Sequence, residues 1–325
     1  MVPPLITLEE HFFSEAMLTG PTDKYSEQFK HTAGILQRLT DVGDIRLKHM
    51  DAGEIVLQVV SHAPGHMSYA QCVSANNQLV EAVKAHPDRF AGFAVLPVSE
   101  PENCAGEFTR CVQELGFVGA LIDNHARDGG YFDGEEYFEM FKTAQDLDVP
   151  IYLHPTFPTD AMASMLYTGN FSNGASISMG GSGWGWHSDV AIHILRLFAA
   201  GLFERLPRLK IIIGHMGEMI PFMLARIEML SPRWGVPGRT FTEVYQSNIY
   251  LTTSGYWSVD PLACILRNTK IDHILYSVDY PFGTNEDGLV FFKALEKSGL
   301  VTQEQLEMIA YKNAEKLLRV KARTT

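Results

Sequence analysis

The chain has 325 residues, 46% of them hydrophobic and 20% charged, so it carries enough apolar material for a large buried core. A formal net charge of -12 with no basic run argues against a nucleic-acid partner, whose phosphates need clustered Lys and Arg, and gives no electrostatic reason to dock on a membrane surface. With no run of about 18 apolar residues, no leader-like N-terminus and four scattered cysteines without CxxC spacing (Cys72, Cys104, Cys111, Cys264), a cytoplasmic protein with reduced thiols is expected.

Short apolar runs alternate with longer amphipathic segments along the whole chain, the pattern of parallel strands joined by helical crossovers. Strands are predicted at residues 5–11, 55–60, 91–97 and 118–124, with a helix over 74–86 after the second. Cys104 and Cys111 flank or occupy one helix. The second half repeats the beat with strands at 149–154, 209–215, 249–255 and 273–279, and two helices follow the last. Eight such units in a chain of this length predict a single α/β domain over residues 1–325, a (β/α)8 TIM barrel. An open doubly wound sheet is disfavoured because the segment after the first strand, HFFSEAM, has neither GxGxxG nor GKT. One irregular segment, 155–185, mixes Met, Ser and Gly and would rise above the carboxyl ends of the strands, as a lid or as a contact between copies. A helix is expected to start near Trp186.

In such a barrel, side chains at the carboxyl ends of strands converge on one site. Glu9 and His11 close strand one, His154 strand five, His215 strand six and Asp279 strand eight, so four apolar-run ends carry five candidate ligands or proton carriers. Glu9 and His11, two apart, project from one side of an extended strand while Glu10 points away, a geometry suited to two ligands of one metal; the plain alternative is a charged strand end. His154 lies in YLHP, where a histidine hydrogen-bonded under a loop is the competing explanation. His215 ends a wholly apolar strand in IIIGHMGE, Gly214 and Gly217 leave room around its ring, and Glu218 can orient its other nitrogen. A carboxylate at Asp279, ending ILYSVD, needs a cation or hydrogen bonds to offset its burial.

The motifs LEEHF, CVQELGFVGALIDN, DVPIYLHP, LPRLKIIIGHMGE, RIE, IYLTTSG and ILYSVDYPF follow in order through most of the chain. Together they resemble the amidohydrolase superfamily, and within it the non-oxidative aromatic decarboxylases of the γ-resorcylate and 2,3-dihydroxybenzoate type, related to aminocarboxymuconate-semialdehyde decarboxylase. The resemblance implies an amidohydrolase-type barrel with extra C-terminal helices, Glu9, His11, His154 and Asp279 as metal ligands, and His215 with Glu218 as a catalytic pair behind them. It also implies that Arg226 helps hold the active-site wall, against the alternative of a surface ion pair. Glu-x-His replaces the His-x-His of many hydrolases, and the fourth strand, VGALIDNH, lacks the lysine that bridges two metals in binuclear members, so one divalent ion is expected. Two imidazoles and two carboxylates suit Zn2+ or Mn2+, and Mg2+ less readily.

Phe282 and Trp186, with Trp184, Phe12 and Phe13, are candidate ring-stacking walls for an aromatic substrate, although aromatics at strand ends more often belong to the core. His187 is a candidate to face the substrate from a helix start, His193 reads as structural, and Asp123 and Asn124 are weaker candidates for substrate contact. The implied reaction is metal-dependent loss of CO2 from an ortho-hydroxybenzoate, a small aromatic carboxylic acid of resorcylate, dihydroxybenzoate, salicylate or orsellinate type, reversible at high bicarbonate. Asp279 is the expected proton donor to the ring carbon; because an aspartate is ordinarily ionised at neutral pH, relay from His215 is the alternative. The rivals are hydrolysis of a lactone or amide on the same scaffold, and a barrel that has lost catalysis and serves as a binding protein. A homodimer or homotetramer is the expected assembly.

Overall fold

The computed structural model describes residues 2–18, 25, 29–30 and 32–322. Its eight strands are β1 (Leu5–Phe12), β2 (Ile55–His62), β3 (Phe90–Gly92), β4 (Ala120–Asp123), β5 (Ile151–His154), β6 (Ile211–Ile213), β7 (Ile249–Thr252) and β8 (Ile274–Leu275). Sequential neighbours pair in parallel within β1–β2–β3 and within β4 through β8. Single bridges, Ala94 to Ala120 and Glu10 to Tyr280, join the two groups at both seams and close the (β/α)8 barrel. The helices that matter for the site are α1 (Tyr69–Ala85), α2 (Pro101–Gln113), α3 (Phe138–Asp146), α4 (Asp160–Leu166), α5 (Asn173–Gly180), α6 (Gly185–Ala199), α7 (Ile220–Leu230), α8 (Phe241–Asn248), α9 (Val259–Asn268) and α10 (Asn285–Ser298).

Alternation along the strands separates two cores. Ile6, Leu8, Leu57, Val59, Phe93, Leu121, Ile212 and Leu275 fill the barrel interior, whereas Leu5, Ile55, Val60, Ile122, Leu153 and Leu251 pack outward under the helices. After α10 come the expected extra helices, Gln303–Glu307 and Asn313–Leu318; Leu317 and Leu318 pack onto the interior cluster.

The expected strands are all present, but several are shorter than their apolar runs. The third pairs only over Phe90–Gly92 rather than 91–97, and the eighth only over Ile274–Leu275 rather than 273–279. At the strand ends the backbone turns left-handed, at His215, Met216, Glu218 and Met219 after β6 and at Asp279 after β8, so the ladder stops before the functional residue is reached. The first helix of the set starts earlier than residue 74 because Ser68 and Gln71 form a capping box. Cys104 and Cys111 both lie in α2, buried and unpaired.

The segment 155–185 is not structureless. It holds α4 and α5, whose N-caps Thr159 and Ser172 accept from the amides of Met162 and Ala175. Among the described residues, no helix is long and apolar enough to cross a membrane.

Candidate active site

A break in the alternation of β1 delivers the first two functional side chains. Ile6 and Leu8 face the barrel interior, so strict alternation would send Glu10 inward. Between Thr7 and Glu10 the pairing with β2 slips: Thr7 faces Gln58 and Glu10 faces Val60, three steps against two. This bulge turns Glu9 and His11 into the mouth of the barrel and leaves Glu10 on the other side.

Glu9, His11, His154 and Asp279 each bring one ligand atom to a common point, all within 4.8 Å of one another. Nε2 of His154 lies 3.1 Å from Oε1 of Glu9, and Nε2 of His11 lies 3.3 Å from Oδ1 of Asp279. Each imidazole is fixed from behind: His154 Nδ1 donates to the Pro155 carbonyl (2.7 Å), and His11 Nδ1 meets the Ser61 hydroxyl (3.2 Å). Oε1 of Glu9 and Nε2 of His11 are buried without a hydrogen-bond partner. Buried polar atoms left open in this way, aimed at one point by two imidazoles and two carboxylates, fit a single divalent metal ion. The fourth strand carries no lysine to bridge a second ion.

The other oxygen of Glu9 is occupied. Tyr152 and Ser254 donate their hydroxyls to Oε2, and the Thr252 hydroxyl lies 3.3 Å away. A Cβ at residue 214 would stand 2.8 Å from that oxygen and 2.9 Å from the Tyr152 hydroxyl, so Gly214 makes room for this cluster. Burial alone would push the Glu9 carboxyl upward, but the charges of His215, His154 and His11 hold it well below the usual carboxylate range. Burial lowers His11, whereas the Glu9 partner outweighs burial and raises His154.

His215 stands beside this group, with Nε2 3.4 Å from Glu9 and 4.0 Å from Asp279. Its Nδ1 donates to Glu218 at 2.6 Å, as the spacing of the two residues led one to expect. Glu218 is fully buried, and its charge together with that of Glu9 outweighs desolvation and raises His215 well above its ordinary value. Asp279 is held by the buried Glu10, which accepts from the amides on either side of it, Val278 (3.1 Å) and Tyr280 (3.0 Å), and from the Ser277 hydroxyl (2.8 Å). Burial raises the Glu10 carboxyl to about 8 against those donors.

A cavity of about 490 Å³ opens on His154 and Asp279. Phe282 and Trp186 line it as predicted; Tyr25 and Phe157 do so as well and were not singled out in the sequence. Tyr25 stacks on Phe282, and Phe157 meets Trp186 edge-on. Ile177 and Ser178 of α5 and Gly181 and Ser182 beyond it form the roof, which makes the 155–185 segment a lid over the site.

Two expected substrate contacts are not where the sequence put them. Arg226 lies on the exposed side of α7 and does not line the cavity, because the buried stripe of that helix runs through Ile220, Leu224 and Ile227. His187 is buried behind His215 and outside the cavity lining, its Nδ1 bonded to Glu218 at 2.7 Å. Trp184 is exposed, and Phe12 and Phe13 belong to the core. Asp123 accepts from the His66 amide (2.8 Å) and Asn124 donates to Asp189 (2.6 Å), both inside the framework. His193 is structural, accepting from the Phe132 amide at 3.0 Å. The residues missed by the sequence, Tyr152, Thr252 and Ser254, were discoverable: Tyr152 precedes His154 by two on one strand, and Thr252 and Ser254 share the spacing of Glu9 and His11.

The model of the family described as Amidohydrolase matches residues 8–320. The decarboxylase orsB of Emericella nidulans is 53% identical over 98% of this chain and 98% of its own. A γ-resorcylate decarboxylase of Polaromonas sp. is 34% identical over 97% of this chain and 98% of its own. The crystal structure of a dihydroxybenzoic acid decarboxylase from Polaromonas sp. JS666, with bound manganese and the inhibitor 2-nitroresorcinol, superposes with a TM-score of 0.85 at 33% identity, covering 98% of this chain and 97% of that one.

Proposed function

This chain belongs to the amidohydrolase family, and from that membership and the site we propose that it is a carboxy-lyase that converts an ortho-hydroxybenzoate to the phenol and CO2. The observation that carries this reading is the position of Asp279. It joins the four-ligand cluster and also lines a cavity walled by aromatic rings, so a carboxyl group stands between the metal-binding point and the space an aromatic acid would fill. The divalent ion, when bound, supplies a Lewis-acidic anchor for the substrate carboxylate and the neighbouring phenol oxygen.

The chain's own residues do the rest. Phe282, Trp186, Tyr25 and Phe157 hold the ring and keep water from it. Asp279 delivers a proton to the ring carbon that bears the carboxylate; the bond to the carboxylate carbon then breaks, and its electron pair returns to the ring as CO2 leaves. His215, 4.0 Å from Asp279 and aligned by Glu218, restores the proton. His215 does not line the cavity, which favours Asp279 as the group that touches the ring carbon.

Four finer points belong to the same reading. Manganese, held by the structurally similar decarboxylase, is the ion to load first. Residues 1–325 act as one catalytic domain, in keeping with a family match over 8–320. Assembly is a homodimer or homotetramer, since α7 leaves Phe222, Met223 and Met229 exposed beside Arg226, an apolar face for a second copy to cover. A cytoplasmic setting accords with four free cysteines.

The test is CO2 release from a panel of ortho-hydroxybenzoates by purified, metal-analysed protein alongside Asp279→Asn. Metal-dependent release by the wild type and none by the variant is the expected result. A metal-replete wild type that releases no CO2 across the panel, yet opens a lactone or amide, would overturn the reading.

A further inference from the structure

Glu218 is shared. Its Oε1 receives Nδ1–H of His215 at 2.6 Å and its Oε2 receives Nδ1–H of His187 at 2.7 Å, and the whole side chain is excluded from solvent. The two imidazole rings stand 4.8 Å apart on either side of it. Without the His187 bond, one oxygen of a buried carboxylate would lose a charge-assisted donor, and the carboxylate would be free to turn away from His215. His187 has a second attachment. Its Nε2 donates to the Ser182 carbonyl at 3.0 Å, and Ser182 belongs to the roof of the cavity. His187 sits in the first turn of α6, directly after the roof segment, so a rigid helix carries it.

We propose that His187 is a positioning residue that ties the roof of the cavity to the His215–Glu218 pair, so that His215 is aligned on Asp279 when the roof is seated over the substrate. This rests on the decarboxylase reading of the site. The order of contacts is Ser182 carbonyl, His187, Glu218, His215, Asp279, running from the roof to the proton donor. A tether of this kind holds the proton-transfer pair in register only in the closed, water-excluding arrangement, where proton delivery to a ring carbon is productive.

Two amide side chains separate the two attachments. In H187N the amide nitrogen stands in for Nδ1 and keeps the bond to Glu218, while the reach to Ser182 is lost. In H187Q the longer side chain stands in for Nε2 and keeps the bond to Ser182, while Glu218 loses its donor. The experiment compares wild type, H187N, H187Q and H187F as manganese-loaded enzymes, by kcat and KM for CO2 release and by hydrogen exchange of residues 160–182. H187Q is expected to lose kcat by about 10- to 100-fold, the range for removing an orienting partner, with KM and roof exchange unchanged. H187N is expected to retain most of kcat, with KM raised and faster roof exchange. H187F is expected to show both losses. The proposal is overturned if H187N and H187Q both match the wild type, or if both lose kcat and KM together with a lower Tm, since His187 would then only fill space. Roof exchange is read without turnover, so a wild type inactive on every hydroxybenzoate would sink the decarboxylase reading and still leave the tether tested.

Discussion

The ends of β2 and β5 make an instructive pair. Each strand closes with a buried histidine, His62 and His154, and each histidine donates from Nδ1 to the carbonyl of the next residue, Ala63 at 2.6 Å and Pro155 at 2.7 Å. The difference lies opposite Nε2. For His62 it is the amide and hydroxyl of Ser14, at 3.1 and 2.9 Å; for His154 it is an otherwise unpartnered oxygen of Glu9 at 3.1 Å. Burial therefore lowers His62 to about 4, whereas Glu9 outweighs burial and raises His154. A histidine at a strand end becomes a ligand through what faces its free nitrogen, and the strand that bears it does not decide the matter.

Breaking each end separately gives the largest contrast. His154→Ala is expected to lose bound metal and, with it, CO2 release, whereas His62→Ala keeps metal stoichiometry and loses stability; metal analysis and thermal unfolding of the two variants check this. If His62→Ala also loses its metal, the contrast fails. Next in size, Tyr152→Phe removes a hydroxyl from Glu9 Oε2 and is expected to weaken metal binding by about 10- to 100-fold, read by competition with a chelator. Unchanged affinity would show that Thr252 and Ser254 suffice.

The framework histidines also set a pH dependence. His62 and His193 are lowered by burial to about 4 and about 3, so in the fold they stay neutral where the unfolded chain protonates near 6.5. The unfolded state then binds more protons over that window, and their contribution to stability, full above about 6.5, is lost as pH falls toward 4 and 3. Other groups titrate over the same interval, among them Glu10, raised to about 8, so the readout is the difference between variants. Relative to the wild type, the Tm of His193→Gln should fall less, or rise more, between pH 7 and pH 5; parallel Tm profiles would contradict the assignment. The smallest effect sharpens the comparison from the other side. Ser14→Asp places an anion opposite His62 Nε2 and should raise its titration point by about one unit or more, observable by NMR of the ring, without creating a metal site, since among the described residues no metal-binding group includes His62.

Much of this was legible in the sequence because parallel strands buried on both faces must read as apolar runs, and the polar residue ending each run stands out. Glu9, His11, His154 and Asp279 come together as their spacing implied. The lid was visible only as an irregular segment, because α4 and α5 are held by the caps Thr159 and Ser172 and carry no apolar stripe of the kind that marks a core helix. The hydroxyls around Glu9 come from β5 and the end of β7, more than a hundred residues away in the chain, and such an encounter is set by barrel closure. Arg226 and His187 went astray for a related reason: a helical residue's face follows from packing that local spacing did not reveal.

The bulge in β1 has a consequence for how the family's chemistry is written into the strand. It acts as a one-residue phase change: ahead of it the even positions 6 and 8 read into the barrel, and after it the odd positions 9 and 11 do. Drawing the strand straight through this point, with its sequence unchanged, would send Glu10 to the ion in place of Glu9, turn His11 away and take the clamp on Asp279 out of place. The adjacent glutamates in LEEHF are thus not interchangeable: the bulge sends one to the ion and the other to the backbone on either side of Asp279.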